Sequence, residues 1–354
     1  MKRVALIVGG GISREIVGPV LAVVEAAGAS IDWDRVDVPT LEIGDTDAHL
    51  DQAVASVERC GIGLKTRLSV STAGARDAMP AAAPDTQSEY DAPGSQNPNV
   101  LLRRHLGLFA GVVPVRPLPG IPTRFPGIDL LLIREMTEDI YKGIEHEIVP
   151  GVVESLKVVT RDACERIARF AYATLRAEGR KHLAFVHKAN IMKMSDGLFL
   201  ATVRRIAKEN PDVGYRELIV DAACMQLVLD PYPFDVLLMG NHYGDILTNV
   251  GSGLAGGISG AHAINIGERH RVYEAIHGDA PHLVGTGRAN PLPLLSPAIA
   301  LLRYVGESAA ADRIVAAMTR VLEERRAVTA DLGGNATTSE MAAAIVAAIP
   351  ASAG

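Results

Sequence analysis

The chain opens on "RVALIVGGGISREIVGPVLAVVEAAG", an unbroken apolar run, three glycines, and then apolar positions at helical spacing as far as Gly28. A short continuous apolar run suits a strand buried on both faces, and recurrence at every third or fourth residue suits the buried stripe of a helix. Strand, turn and helix in that order predict an α/β protein. Further strand-like runs stand at "LLLI" (Leu130 to Ile133), "LAFVH" (Leu183 to His187), "DVLLMG" (Asp235 to Gly240) and "HAINIG" (His262 to Gly267). Helical spacing fills the gaps at Asp162 to Ala177 and Ser195 to Asn210. The last residues, "AAAIVAAIPASAG", read as an Ala-rich helix that frays into a tail. No apolar run approaches the roughly 20 residues that a membrane span requires.

One stretch breaks the pattern. "PAAAPDTQSEYDAPGSQNP", Pro80 to Pro98, has neither helical nor strand period and reads as a loop or mobile lid. Composition narrows the partners. With 354 residues the chain can bury one large or two ordinary cores, and a net charge of -6 offers no general attraction to nucleic acid or anionic membrane. A small molecule is the expected partner. Cys60, Cys164 and Cys224 are scattered, without the spacing of a disulfide framework or a zinc site, and the opening apolar run is too short for a secretory core. A cytoplasmic location is expected.

Two local motifs invite chemistry. Gly9 and Gly11 match the first two glycines of a dinucleotide-binding fingerprint, but Arg14 stands at the third, so a tight strand-to-helix turn is the better reading. In "MGNHYGDILTNV", Asp245 and Asn249 lie four residues apart and share one face if the segment is helical. Either they line a site, or Asn241 or Asp245 merely caps the helix.

The segment "HKANIMKMSDGLFL", His187 to Leu200, resembles the β-decarboxylating dehydrogenases, the family of isocitrate, isopropylmalate and tartrate dehydrogenases. So do "IREMTEDIYKGIEHE" from Ile133, "NHYGDILTN" from Asn241, "YEAIHGDAPHLVGTGRANP" from Tyr273 and "DLGGNATTSE" from Asp331, in the family's order. The resemblance implies an α/β, isocitrate/isopropylmalate dehydrogenase-like fold, with two domains sharing a central sheet system, rather than a standard Rossmann fold. Residues 1–108 and 257–354 would form a large, discontinuous cofactor-binding domain. Residues 109–256 would form a small domain with the substrate and metal site. A homodimer is implied, clasped through about 141–160, with active sites shared between copies.

The same resemblance assigns roles. Asp221, Asp245 and Asn249 would bind Mg²⁺ or Mn²⁺ through oxygen, with Asp221 reaching in from the partner subunit. The family's third ligand is usually Asp, so Asn249 removes a charge and weaker metal binding is expected. Lys188 and Tyr141 match the catalytic pair: Lys188, as the neutral amine and assisted by Asp245, would be base or relay, and Tyr141 would supply the later proton. Arg103 and Arg134, with Asn97, Asn99 and Asn190, would hold a substrate bearing several carboxylates. Val113 stands where a third arginine is usual, with Arg116, Arg67 and Arg76 near enough in sequence to compensate. Gly278, Ala280, Asn290 and Asp331, with His277, Pro281 and His282, would line the adenine and ribose side of the cofactor. Lys65 and Ser69 would lie near the nicotinamide. His282 and Leu283 replace the Lys-Tyr pair of NADP-using members, which favours NAD.

The expected activity is therefore NAD-dependent oxidative decarboxylation of a substituted 2-hydroxy dicarboxylate. Because Val113, Asn97 and the insertion cluster at substrate recognition, an isocitrate-like substrate with a polar arm, used in specialised biosynthesis, is expected. Ordinary NAD-dependent isocitrate oxidation is the first alternative. A non-catalytic regulatory subunit of a hetero-oligomer is the second, and the joint presence of Lys188, Tyr141, Asp221 and Asp245 argues against it.

Overall fold

The computed structural model describes residues 1–40, 46–69 and 97–350. The chain divides into two compact units, one of Met1–Leu106, Pro119–Ile121 and Arg269–Gly354, the other of Gly107–Leu118 and Pro122–Glu268.

In the first unit β1 (Lys2–Val8), β2 (Ile31–Asp37), β3 (Ile62–Lys65) and β12 (Arg271–Glu274) pair in the order β2-β1-β3-β12, every pair parallel. Val4 to Val8 are wholly buried, which is why β1 reads as an unbroken apolar run. Around this sheet the unit carries α1 (Ser13–Ala26), α2 (Thr46–Cys60), α3 (Pro98–His105), α8 (Leu292–Tyr304), α9 (Ser308–Glu324) and the Ala-rich α10 (Thr338–Ala348). The glycines after β1 serve close backbone approach. A Cβ on Gly9 would lie 1.8 Å from the Arg67 carbonyl oxygen, and one on Gly10 would lie 2.0 Å from Thr40 Oγ1. The tight-turn reading of this segment therefore has a steric cause.

In the second unit β4 (Ala110–Val115), β5 (Leu130–Glu135), β8 (His182–His187), β9 (Gly214–Ile219), β10 (Val236–Met239) and β11 (Ala263–Ile266) run in the order β11-β4-β5-β10-β8-β9. β4 is antiparallel to both its neighbours and the remaining pairs are parallel. The pairing of β11 with β4 draws residues 263–266 into this unit, whereas the reading from sequence placed everything after 256 with the N-terminal part. α4 (Arg161–Ala177) and α5 (Ser195–Lys208) cover the sheet, burying Ile167, Ala171, Leu175, Val203 and Ile206 against Leu131, Ile133, Phe185 and Leu238. α6 (Val220–Leu229) and α7 (Asn241–Leu254) complete the helices. β6 (Glu145–Val149) and β7 (Val152–Ser155) form a separate antiparallel hairpin whose residues are all exposed.

Parallel register decides where the chemistry falls. Met239 pairs with both Arg134 and Val186, and His187 pairs with Ile219, so four strands end at one edge. Lys188 follows β8 there, Asp221 sits in the first turn of α6 after β9, and α7 starts two residues beyond the end of β10. Open α/β sheets place ligands beyond the carboxyl ends of their strands for this reason.

Gly244, inside α7, allows that helix to approach β5: a Cβ would lie 2.5 Å from Arg134 Cγ. Alanine favours a helix by about 1 kcal/mol over glycine, but overpacking typically costs 1–3 kcal/mol, so the clash outweighs the propensity gain. Gly244→Ala should therefore lower the urea midpoint, with a loss of up to about 2 kcal/mol. A raised midpoint would show that Arg134 moves aside freely.

Candidate active site

Arg134 is buried at the end of β5, and three groups hold it. Its Nε donates to Asn241 Oδ1 at 2.7 Å, its Nη1 pairs with Asp245, and its guanidinium lies 5.0 Å from the centre of the Tyr141 ring. Tyr141, on a short 3₁₀ turn at Ile140–Lys142, donates its hydroxyl to Asp245 Oδ2 at 2.8 Å. Arg134, Tyr141 and Asp245 thus form one cluster. Burial pushes the Tyr141 phenol up to about 12, with Arg134 opposing the rise and Asp245 adding to it. Tyr141 therefore keeps its proton throughout the neutral range, as a proton donor must.

Lys188 and Asp221 form a second pair at the neighbouring strand ends, and the lysine's hydrogen bond holds the Asp221 carboxyl below its usual range. Asn249 is exposed one turn after Asp245 on α7, its amide donating to the Asp245 carbonyl at 3.0 Å. The helix expected at this motif is present, but the local cap is not. Gly240 is the N-cap and makes no side-chain bond, while Asn241 bridges Arg134 and the Glu138 carbonyl. The cap comes instead from a distant residue, Asp139, whose Oδ2 accepts from His242 N at 3.1 Å.

Two carboxylates and an amide oxygen suit a hard divalent cation. Within one chain Asp245 and Asn249 share a face of α7, whereas Asp221 is engaged by Lys188. Among the described residues no three His, Cys, Asp or Glu side chains of a single chain form a metal cage. Asn190 is exposed on the loop after β8.

The first unit holds the other predicted residues. Lys65 is fully buried, donating to Asn99 Oδ1 and Glu274 Oε1, each at 2.7 Å, and burial drives its pKa down against the pull of Glu274. So placed, it supports its neighbours and presents no ammonium to a ligand. Asn99 is likewise consumed: its oxygen accepts from Lys65 and Leu68 N, and its amide donates to Leu68 O and Asn97 Oδ1. Those four bonds use its whole side-chain capacity, so direct substrate binding by Asn99 is replaced by a structural role. Asn97 is the N-cap of α3, accepting from Asn99 N at 2.9 Å.

Ligand-ready groups lie close by in sequence. Arg103 shares Glu274 with Lys65, at 3.1 Å, and its buried Nε has no hydrogen-bond partner among the described residues. His277 bonds Gly278 O through Nδ1 at 2.9 Å while its buried Nε2 has no partner among the described residues, and burial lowers its pKa. A Cβ on Gly278 would meet nothing within 4 Å among the described residues, Ala280 has a left-handed backbone at φ 43°, and Pro281 and His282 open the next short turn. Asn290 donates to Asp331 at 2.8 Å. Ser69 instead pairs with Asp279, which also holds Arg67 at 3.2 Å. The His277 nitrogen left unpaired among the described residues, an open glycine and a paired Asn and Asp fit the nucleotide role assigned to this segment.

Arg116 does not replace the arginine missing at Val113. It pairs with Asp129 at 2.8 Å, and five residue steps along β5, roughly 17 Å of strand, separate Asp129 from Arg134. Arg76 and residues 80–96 of the Pro80 to Pro98 stretch lie outside the described residues. Sequence reading missed Lys157, Asp139, Asp196, Glu274 and Asp279, although all but Lys157 stand inside quoted motifs. Lys157 has no local signal of any kind.

An Arg–Tyr–Asp cluster and a Lys–Asp pair at the carboxyl edge of a mixed sheet define an α/β enzyme that handles carboxylates and protons. A family model described as isocitrate/isopropylmalate dehydrogenase matches residues 3–345, and the chain belongs to that family. It is 40% identical over 339 residues to "Isocitrate dehydrogenase [NAD] catalytic subunit 5, mitochondrial" of Arabidopsis thaliana, covering 95% of this chain and 86% of that one. It is 38% identical over 352 residues to regulatory subunit 3 of the same plant, covering 98% and 89%. The crystal structure of isocitrate dehydrogenase from Methylococcus capsulatus matches with a TM-score of 0.84 and 36% identity, covering 99% of each chain. The expected cytoplasmic location is corrected by these comparisons, since both plant relatives are named as mitochondrial. Scattered cysteines report redox poise and do not distinguish one reducing compartment from another.

Asn249→Asp adds a carboxylate one helical turn from Asp245 and should tighten Mn²⁺ binding. Titration of both proteins with Mn²⁺ decides, and equal or weaker affinity in the variant removes Asn249 from the metal site.

Proposed function

We propose that this chain is a catalytic NAD-dependent isocitrate dehydrogenase subunit. The observation that carries the reading is Asp245 gripped by Arg134 and Tyr141 while Lys188 stands at a neighbouring strand end. Nearly equal identity to catalytic and regulatory relatives leaves the choice to these residues. A regulatory subunit has no need of a half-buried phenol matched to a carboxylate.

In this reading Arg134 holds a substrate carboxylate, and Asp245 and Asn249, with Asp221 from a second copy, hold the divalent cation. Bound NAD supplies the hydride acceptor and the cation a Lewis acid. Lys188 takes the proton of the 2-hydroxyl, directly or by relay, and Tyr141 returns a proton to carbon after CO₂ leaves. A dimer is supported by apolar side chains exposed in the second unit: Ile148, Val149, Val152 and Val153 on the β6–β7 hairpin, and Met225, Val228, Leu229 and Ile246 on α6 and α7.

The substituted substrate of a specialised pathway has no support among the relatives. Relatives named for isocitrate span nearly the whole chain, and Asn97 is explained by capping α3. Val113 remains a departure from the family pattern. It is buried on the face of β4 that also bears Gly111, opposite Leu132 and diagonal to Arg134.

Steady-state kinetics test the reading. The protein should oxidise isocitrate with higher kcat/KM for NAD than for NADP, no cationic pair standing at His282 and Leu283. Failure on isocitrate with either cofactor would sink it. Val113→Arg should lower kcat/KM, because a second guanidinium would be forced beside Arg134; a gain would show a substrate carboxylate lacking its partner. Tyr141→Phe should lower kcat by roughly 100-fold or more while leaving Mn²⁺ affinity unchanged. Unchanged turnover would assign the proton to another group.

A further inference from the structure

Behind the two catalytic clusters, inside the second unit, a lysine outside both joins the segments that carry them. The Lys157 side chain is 15% exposed, and its ammonium lies 2.6 Å from Asp196 Oδ1, 3.7 Å from Asp139 Oδ2 and 4.5 Å from the centre of the Tyr243 ring. The Asp139 and Asp196 side chains are 4% and 5% exposed. Each makes a second set of bonds, outward to a catalytic segment. Asp196 Oδ2 accepts from Lys188 N at 2.6 Å. Asp139 Oδ1 accepts from Ile140 N at 2.9 Å, one residue before Tyr141, while its Oδ2 accepts from His242 N at the start of the helix that carries Asp245.

Asp139 also holds an unusual backbone, φ 75° and ψ -155°, a region that residues with a side chain rarely enter. Its N–H donates to Val158 O at 2.9 Å, next to Lys157 in the chain. Such strain persists only where the surroundings over-determine it, and it concentrates at functional sites. The cavity beside the network is only about 20 Å³, too small for a substrate. The cluster is therefore a support and not a second binding site.

We infer that Lys157 is a positioning residue that sets the Lys188 segment, through Asp196, and the Tyr141 and Asp245 segments, through Asp139, in a common frame. The inference rests on the isocitrate dehydrogenase reading for its catalytic consequence and on the geometry alone for its structural one. Without the ammonium, two buried carboxylates lose their shared counter-ion and both segments loosen together.

Amide hydrogen exchange and kinetics on Lys157→Met and Lys157→Arg test it. In Lys157→Met, exchange should rise at least about tenfold in residues 188–197 and also in 139–143 and 241–245, with β5 and β8 unchanged. On isocitrate, kcat should fall on the order of 100-fold with KM within about threefold, as misplacement of assembled groups predicts. Lys157→Arg, which keeps the charge, should return most of both losses. If Lys157→Met does not fold, Lys157→Met combined with Asp196→Asn removes one stranded charge and is read in the same way. Loosening of one segment alone, uniform loosening of the whole unit, or an unchanged kcat overturns the inference. If the wild type does not turn over isocitrate, the functional reading falls while the exchange pattern still decides the role of Lys157.

Discussion

Parallel register at one edge of the second unit's sheet is the constraint on which the candidate site depends. β5, β10, β8 and β9 end level with one another, so Arg134, the start of α7, Lys188 and Asp221 emerge side by side from four distant stretches of sequence. A slip of one residue in any pair would turn the emerging side chain to the other face of the sheet. The apolar runs that set this register, Leu131 and Ile133 against Val236 and Leu238 and then Leu183 and Phe185, are the same residues that bury α4 and α5. Core packing and site assembly are one requirement here.

Within each unit, buried charges among the described residues are managed by pairing. Lys65 and Arg103 share Glu274, Arg134 takes Asp245 and Asn241, and Lys157 takes Asp196 and Asp139. An unpaired buried ion would shift its protonation or unfold its surroundings, so each arrangement fixes the positions of several groups at once. This is why residues expected to touch ligand, Lys65 and Asn99, turn out to hold their neighbours, while Arg103 and His277 retain buried nitrogens without hydrogen-bond partners among the described residues. The departures from family pattern fall in different settings: Asn249 is exposed on α7 and Val113 is buried in β4.

The α/β class, the strands at 130–133, 183–187, 236–239 and 263–266, and the helices beginning near 161 and 195 were legible in the sequence, because burial on both faces, or along one stripe, writes directly into residue order. Short or exposed strands such as β2, β6, β7 and β12 carry no such signature, since partners supplied by other segments create them. Likewise Tyr141, Lys188 and Asp245 could be picked out from local motifs, but their mutual arrangement could not. The cap of α7 by Asp139, the exhaustion of the Asn99 amide and the place of Lys157 between two carboxylates each join residues far apart in the chain. Sequence order determined which elements form and which side chains are chemically equipped. Tertiary packing decided which of them meet, because hydrogen bonds and ion pairs act over a few ångströms of space whatever the distance along the chain.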